Sequence, residues 1–245
     1  IHLRVKRFLM RKKILLFLFI IAACFLFAAI KVNAFPIFSS NAESCFKLEK
    51  NSTKSSGILS SLYLSPQSSF IYYSQTDPEW KDYLYGGRDP LSKYGCGPTV
   101  LAMLVSNLTS RTVTPVEMAD WASEHGYWSA GGGSRHNLIP EGAIAFGLKA
   151  ESLSIRSPEA LKLPLYYNKL IVLLMGPGHF TQRGHFIILT GVTDNGNITV
   201  ADPFNPSNNA VSWPPELLLD ELSSRSTAGG PVWVISASAK MEQES

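Results

Sequence analysis

Hydrophobic positions along the chain change their spacing twice. From Thr99 to Leu108 the apolar residues Val100, Leu101, Met103, Leu104, Val105 and Leu108 fall on nearly every face of a helical wheel. That pattern predicts a helix buried all round rather than one lying on a surface. Thr114-Pro115-Val116-Glu117 combines capping-box spacing with a proline suited to the first helical position, so a second helix is predicted from about Pro115 to His125. A third, short helix fits Ile139 to Phe146, with Gly147 as its stop. Beyond it the spacing shifts to short apolar runs bounded by turn residues, which predict strands at Leu170–Met175, His185–Val192, Ile198–Ala201 and Val232–Ser236. Asp194-Asn195-Gly196-Asn197 joins the middle two as a hairpin. Upstream, Phe70-Ile71-Tyr72-Tyr73 reads as a short β-type run. Helices followed by an antiparallel sheet give an α+β domain over about 70–236, with 237–245 as a tail.

The front of the chain has a different texture. Arg4, Lys6, Arg7, Arg11, Lys12 and Lys13 precede an unbroken apolar run from Ile14 to Ile30. A basic stretch followed by an apolar one predicts that 1–34 is a signal peptide, cut after Val32-Asn33-Ala34, or else a retained N-terminal membrane anchor. Ile21-Ala22-Ala23-Cys24 offers a lipoprotein-type alternative. Met10-Arg11-Lys12-Lys13 resembles a signal-peptide start, which makes 1–9 upstream sequence on this reading. Residues 35–69 carry eleven serines between Ser39 and Ser69, with little periodicity, and read as a linker. The expected location is secreted or on the extracytoplasmic cell surface.

Charge then has to be counted without the front segment. It holds seven of the 22 Lys and Arg and none of the 19 acids, so its removal takes the formal charge from +3 to −4. A mildly acidic domain without a basic stripe gives no support for nucleic-acid binding, and contact with a membrane is expected only through the N-terminal segment. Of the three cysteines only Cys45 and Cys96 lie beyond the apolar run, so there is no disulfide framework; a single Cys45–Cys96 bridge is the structural alternative.

Cys96 lies in Lys93-Tyr94-Gly95-Cys96-Gly97-Pro98-Thr99, at the start of the buried helix. There the first N–H groups and the helix dipole favour a thiolate, which is the nucleophilic form. Gly95 and Gly97 would let the backbone approach a substrate carbonyl, and the Cys96 N–H could donate to its oxyanion. A buried structural cysteine is the competing reading.

A thiol nucleophile needs an imidazole. His185 opens a predicted strand, and Asp202 closes the next one in Ala201-Asp202-Pro203, so a hairpin brings the two to one end of a sheet, where the carboxylate could orient the ring. A symmetric turn about Asn195-Gly196 pairs Asp202 with Leu189 instead. An asymmetric loop or a slipped register is therefore required. His179, in a Gly/Pro loop, is the competing base and reads as a rim residue touching substrate, with Gly95, Gly97 and Gly184 as further candidate contacts. His125 and His136 read as surface or helix-terminal residues. Gln75, upstream of Cys96, is the candidate side-chain oxyanion donor. Gly131-Gly132-Gly133 is read as a mobile segment beside the site. No spacing suggests a metal site, and no cofactor is expected.

Taken together, Tyr73-Ser74-Gln75 with Asp77 and Trp80, Gly95-Cys96-Gly97-Pro98-Thr99, Thr114-Pro115, Phe146-Gly147-Leu148, Gly184-His185-Phe186-Ile187, Thr190-Gly191 and Asp202-Pro203 resemble the papain-like cysteine peptidases. In detail they are similar to the bacteriocin-processing, double-glycine-leader peptidase family and its stand-alone secreted relatives. The resemblance implies a papain-like fold, Cys96 as nucleophile, His185 as general base and then acid, Asp202 as orienting residue, and Gln75 with the Cys96 N–H as oxyanion hole. It implies a peptide or protein substrate and an acyl-enzyme. An amidase or transferase acting on cell-wall peptides, and a non-catalytic peptide-binding module, remain as alternatives on the same fold. The pattern says nothing of oligomeric state.

Overall fold

The computed structural model describes residues 70–238. The expected signal or anchor segment, the serine-rich linker, Cys24, Cys45 and the Cys45–Cys96 bridge lie outside the described residues, as does nearly all of the expected tail.

The chain first forms a two-residue ribbon, β1 (Leu84–Tyr85) with β2 (Asp89–Pro90), and a single helical turn, α1 (Leu91–Tyr94). Helix α2 (Cys96–Leu108) follows, buried from Gly97 to Ser106 as its all-round apolar pattern predicts. Helix α3 (Pro115–Glu124) starts on a complete capping box. Thr114 Oγ1 accepts from the Glu117 N–H at 3.2 Å, and Glu117 Oε2 accepts from the Thr114 N–H at 2.7 Å. A second ribbon, β3 (Trp128–Ser129) with β4 (Gly133–Ser134), and helix α4 (Leu138–Ala145) complete this half.

The second half builds one six-stranded antiparallel sheet. Its strands are β5 (Lys149–Ser152), β6 (Leu170–Met175), β7 (His185–Val192), β8 (Ile198–Ala201), β9 (Ser212–Trp213) and β10 (Val232–Ser236), in the order β5-β10-β6-β7-β8-β9. Two helices lie among them in sequence, α5 (Pro158–Tyr166) and α6 (Pro215–Asp220). Leu170, Val172 and Leu174 of β6 join the core formed with α2, α3 and α4. The alternate residues Ile171, Leu173 and Met175 join a second core with Leu161, Leu165 and Leu218 from α5 and α6. A strand covered on both faces has no polar alternation to show, which is why these runs are continuously apolar.

The predicted β-type run Phe70–Tyr73 is not a strand. Its backbone is instead held by one side chain: Asn107 Oδ1 accepts from the Ile71 N–H at 2.8 Å, and Asn107 Nδ2 donates to the Ile71 carbonyl at 2.9 Å. An amide on α2 supplies the donor and acceptor that a neighbouring strand would have given. The aromatic rings of the run still pack on the α2 side of the core.

Candidate active site

Cys96 is the first residue of α2, after Gly95, and its side chain is half-buried at the mouth of a cavity of about 750 Å³. Among the described residues it is a free thiol. His185 is the first residue of β7, the strand against which α2 packs, so a helix N-terminus and a strand start meet at one end of the sheet. The ring is 6 % exposed and Asp202 is fully buried. His185 Nε2 lies 2.7 Å from Asp202 Oδ1. With Nε2 donating to the carboxylate, Nδ1 is the nitrogen left for the thiol.

Backbone registration makes the histidine–aspartate contact possible. Gly196, at φ +82°, turns the chain in the left-handed region, and the Thr193 N–H donates to the Asn197 carbonyl at 2.9 Å, so the loop is not centred between Asn195 and Gly196. A further irregularity between Leu189 and Gly191 shifts the pairing again, to Ile188 opposite Ala201. Continuing that pairing by one residue sets Asp202 across from Ile187. His185 is then its diagonal neighbour on the same face, within side-chain reach.

The electrostatics follow from this packing. Burial alone pushes the Cys96 thiol up, but the hydrogen bond and charge of His185, with the N–H groups of Phe186 and Gly97, leave it below its ordinary value. Burial likewise pulls the His185 ring down, and Asp202 and Cys96 more than offset this, raising it to about 9. Burial would raise the Asp202 carboxyl; the His185 ring, the Asn208 amide and the Phe204 N–H hold it below the usual carboxylate range. A thiol pushed down beside an imidazole pushed up is the arrangement that stores a thiolate–imidazolium pair.

Gln75 is buried and lines the cavity. Its N–H donates to the Pro203 carbonyl at 2.8 Å, tying it to the segment after Asp202. Its side-chain Nε2 donates to the carbonyls of Leu91 at 3.2 Å and Ser92 at 3.0 Å, and Oε1 is buried without a partner. Turning the amide over would set Oε1 against two carbonyl oxygens, so Nε2 belongs where it is.

Gly95 and Gly97 are buried and do not line the cavity. A Cβ on Gly95 would come within 2.5 Å of the Leu91 carbonyl oxygen, and one on Gly97 within 2.5 Å of Ser134 Oγ. Their small size therefore serves close packing of α1 and the β3–β4 ribbon around Cys96. Gly184 does line the cavity, and a Cβ there would meet open space. His179 lies on the rim, exposed, with its ring against Glu221 Oε1 and its N–H donating to Glu221 Oε2 at 2.8 Å. His125 is the exposed C-cap of α3, stacked on Trp121. His136, expected at the surface, is half-buried on the cavity wall, where Nδ1 accepts from the Thr227 N–H at 3.2 Å.

The glycine segment read as mobile is tied down. Asp89, 4 % exposed, accepts from the Gly131 N–H at 2.6 Å and the Trp128 indole at 3.0 Å, and so fixes the turn that walls the cavity. The supports of Asp202 were also missed from sequence. Asn208 Nδ2 donates to Asp202 Oδ2 at 2.7 Å, Asn209 Oδ1 accepts from the Asp202 N–H at 2.7 Å, and the Tyr72 hydroxyl donates to the Asp202 carbonyl at 2.8 Å. The polar run Asn205-Pro206-Ser207-Asn208-Asn209 carries no spacing that marks it as anything but loop.

Comparison with known proteins gives a match of residues 67–219 to the model of the Peptidase_C39 like family. A search of curated proteins finds no match. Among solved structures, a C39-like peptidase from Bacillus anthracis is 16% identical, with a TM-score of 0.48 over 70% of this chain and 96% of that one. The peptidase domain of Streptococcus ComA, a bi-functional ABC transporter involved in quorum sensing, is 17% identical, with a TM-score of 0.41 over 60% of this chain and 93% of its own. A double glycine motif protease from an AMS/PCAT transporter, solved in complex with the leader peptide, is 19% identical, with a TM-score of 0.40 over 59% and 86%.

Proposed function

We propose that this chain, which belongs to the Peptidase_C39 like family and is a cysteine peptidase with a papain-like fold, is an exported enzyme that cleaves peptide bonds through Cys96, His185 and Asp202. The observation that carries the reading is the position of His185, bonded through Nε2 to a buried carboxylate and lining the same cavity as the thiol at a helix start, which it holds below its ordinary value.

In this mechanism the Cys96 thiolate attacks the scissile carbonyl carbon, and the carbonyl electron pair moves to oxygen. The Cys96 N–H at the head of α2 donates to that oxyanion. Gln75 joins it by turning one Nε2–H away from the Leu91 and Ser92 carbonyls when substrate enters. His185 gives its Nδ1 proton to the departing amine, leaving a thioester on Cys96. It then takes a proton from water, whose hydroxide adds to the thioester carbonyl; collapse expels the Cys96 thiolate, frees the acid product and restores the ion pair. Asp202 keeps its proton-free form throughout, holding the tautomer and supporting the imidazolium. Export is supported by the basic and apolar N-terminal sequence.

Cys96→Ala and His185→Ala are expected to abolish peptide hydrolysis while leaving the circular dichroism spectrum unchanged. Turnover retained in either variant would overturn the assignment. Parallel product analysis on muropeptides separates peptide hydrolysis from amide chemistry on cell-wall substrates.

A further inference from the structure

Apart from the Cys96 thiolate, the charged side chains that line the cavity are basic. Lys93 approaches it from the end of α1, Arg183 from the loop before β7, and His179 and His185 complete the set; burial holds the His136 ring below its ordinary value, and no Asp or Glu lines the cavity among the described residues. This contrasts with the sequence beyond the N-terminal segment, whose formal charge is −4.

Two of these cations are without a matching acid. His179 is met by Glu221 and His185 by Asp202, whereas neither Lys93 nor Arg183 is within ion-pair distance of a carboxylate among the described residues. Both are exposed. Lys93 Nζ stands 5.2 Å from the centre of the Tyr94 ring, another cavity residue. Arg183 is carried by a loop folded on itself, its N–H donating to Thr181 Oγ1 at 3.1 Å and the Gly178 N–H to the Thr181 carbonyl at 2.8 Å. The adjoining His179 N–H is held by Glu221. The guanidinium therefore hangs from an anchored segment, which lowers the entropy of placing it on a ligand.

A peptide backbone is neutral and gives such a lining nothing to pair with. We propose that Lys93 and Arg183 are specificity-determining residues that select substrates bearing a carboxylate close to the scissile bond, either an Asp or Glu side chain or a free chain terminus. The proposal rests on the peptidase reading of the same cavity. Each exposed pair favours the acidic substrate by roughly fivefold at most, and high salt weakens the preference.

The test digests a diverse peptide library with the wild-type enzyme, identifies the cut sites by mass spectrometry, and compares kcat/KM for matched peptides differing only by Glu→Gln at the enriched position. Taking the ratio within each enzyme removes any loss of folded protein. The expected result is enrichment of carboxylates near the cut, a Glu-to-Gln ratio of roughly tenfold, and its reversal in the Lys93→Glu, Arg183→Glu double variant. Enrichment confined to peptide C-termini and lost on amidation supports the proposal with a terminal carboxylate as the source. Cleavage with no acidic preference, or a preference unchanged in the double variant, overturns it while the peptidase reading stands. No cleavage of any peptide refutes that reading, and this proposal with it.

Discussion

Replacing Asp202 by asparagine removes a charge while keeping nearly the same shape, and the surrounding donors make its cost calculable. Oδ1 accepts from His185 Nε2 at 2.7 Å, the Phe204 N–H at 2.8 Å and the Asn205 N–H at 3.2 Å, and Oδ2 accepts from Asn208 Nδ2 at 2.7 Å. An amide oxygen can occupy only one of these positions. Placed at the Oδ1 position it preserves the histidine tautomer, but the new NH2 then faces Asn208 Nδ2 donor to donor. Turning Asn208 over relieves that clash and breaks the bond in which Asn205 Nδ2 donates to Asn208 Oδ1 at 3.3 Å.

The catalytic loss is the difference between a charged and a neutral acceptor for the imidazolium, about 1–2 kcal/mol, which is roughly five- to thirtyfold in kcat/KM. Its signature is in the pH profile. His185 is raised from 6.5 to about 9 in the fold. The active ion pair therefore persists up to that value, and in Asp202→Asn the alkaline limb should move down toward neutrality. Linkage has the same sign: a raised histidine stabilises the fold fully below pH 6.5, and this contribution fades as pH climbs through about 9. The variant should flatten that slope in urea melts. Asp202→Ala leaves the ring and three other donors facing an empty buried site and should lose about 3–5 kcal/mol of stability. Activity of Asp202→Asn within threefold of wild type, with an unmoved alkaline limb, would refute this account of the carboxylate.

Iodoacetamide alkylation of Cys96 should titrate below the ordinary thiol value in the wild type. In His185→Ala the midpoint should move above the wild-type one, because burial is then opposed only by the Phe186 and Gly97 N–H groups; coincident profiles would remove His185 as the activating group. Gly97→Ala gains about 1 kcal/mol of helix propensity, yet sets a Cβ 2.5 Å from Ser134 Oγ and 3.0 Å from Leu138 Cδ2. A net thermal destabilisation of about 1–2 kcal/mol is expected, largely restored by the second change Ser134→Gly, and additive effects in that double-mutant cycle would count against the clash.

Much of this fold was legible because burial and periodicity agreed. The strands at Leu170–Met175, His185–Val192, Ile198–Ala201 and Val232–Ser236 have the bounds that their apolar runs predict. The helices that were missed show what hides an element. α5 opens on Ser157-Pro158-Glu159, with Ser157 Oγ accepting from the Ala160 N–H at 3.2 Å, the same kind of start that revealed α3, but Pro164 inside it reads as a break. α6 is short and opens at Pro215, after Pro214, in a segment without recurring apolar spacing. β5 is an edge strand of largely exposed residues, Lys149-Ala150-Glu151-Ser152, and has no alternation to detect. Its pairing with β10 is written in the backbone.

The candidate site divides along the same line. Cys96, His185 and Asp202 could be nominated because their residue types and their places at a helix start and two strand ends restrict what chemistry they can do. Whether they meet depends on a single residue of strand offset, since moving a pairing by one position turns a side chain to the other face. A symmetric turn sets Asp202 opposite Leu189, on the correct face but four residues from His185. The left-handed Gly196 and the irregularity between Leu189 and Gly191 each shift the pairing by one residue in the same direction. Two such shifts restore the face that one alone would reverse. They also cut the separation to the diagonal spacing that a histidine and an aspartate can span. Deleting Thr190 removes the extra residue of β7 and leaves Gly191 opposite Thr199 and Leu189 opposite Val200 in an unbroken ladder, so Asp202 stays diagonal to His185 and peptide hydrolysis should be retained. Such a variant that folds with its core intact and has lost hydrolysis would show that the pairing alone is not what joins the two residues.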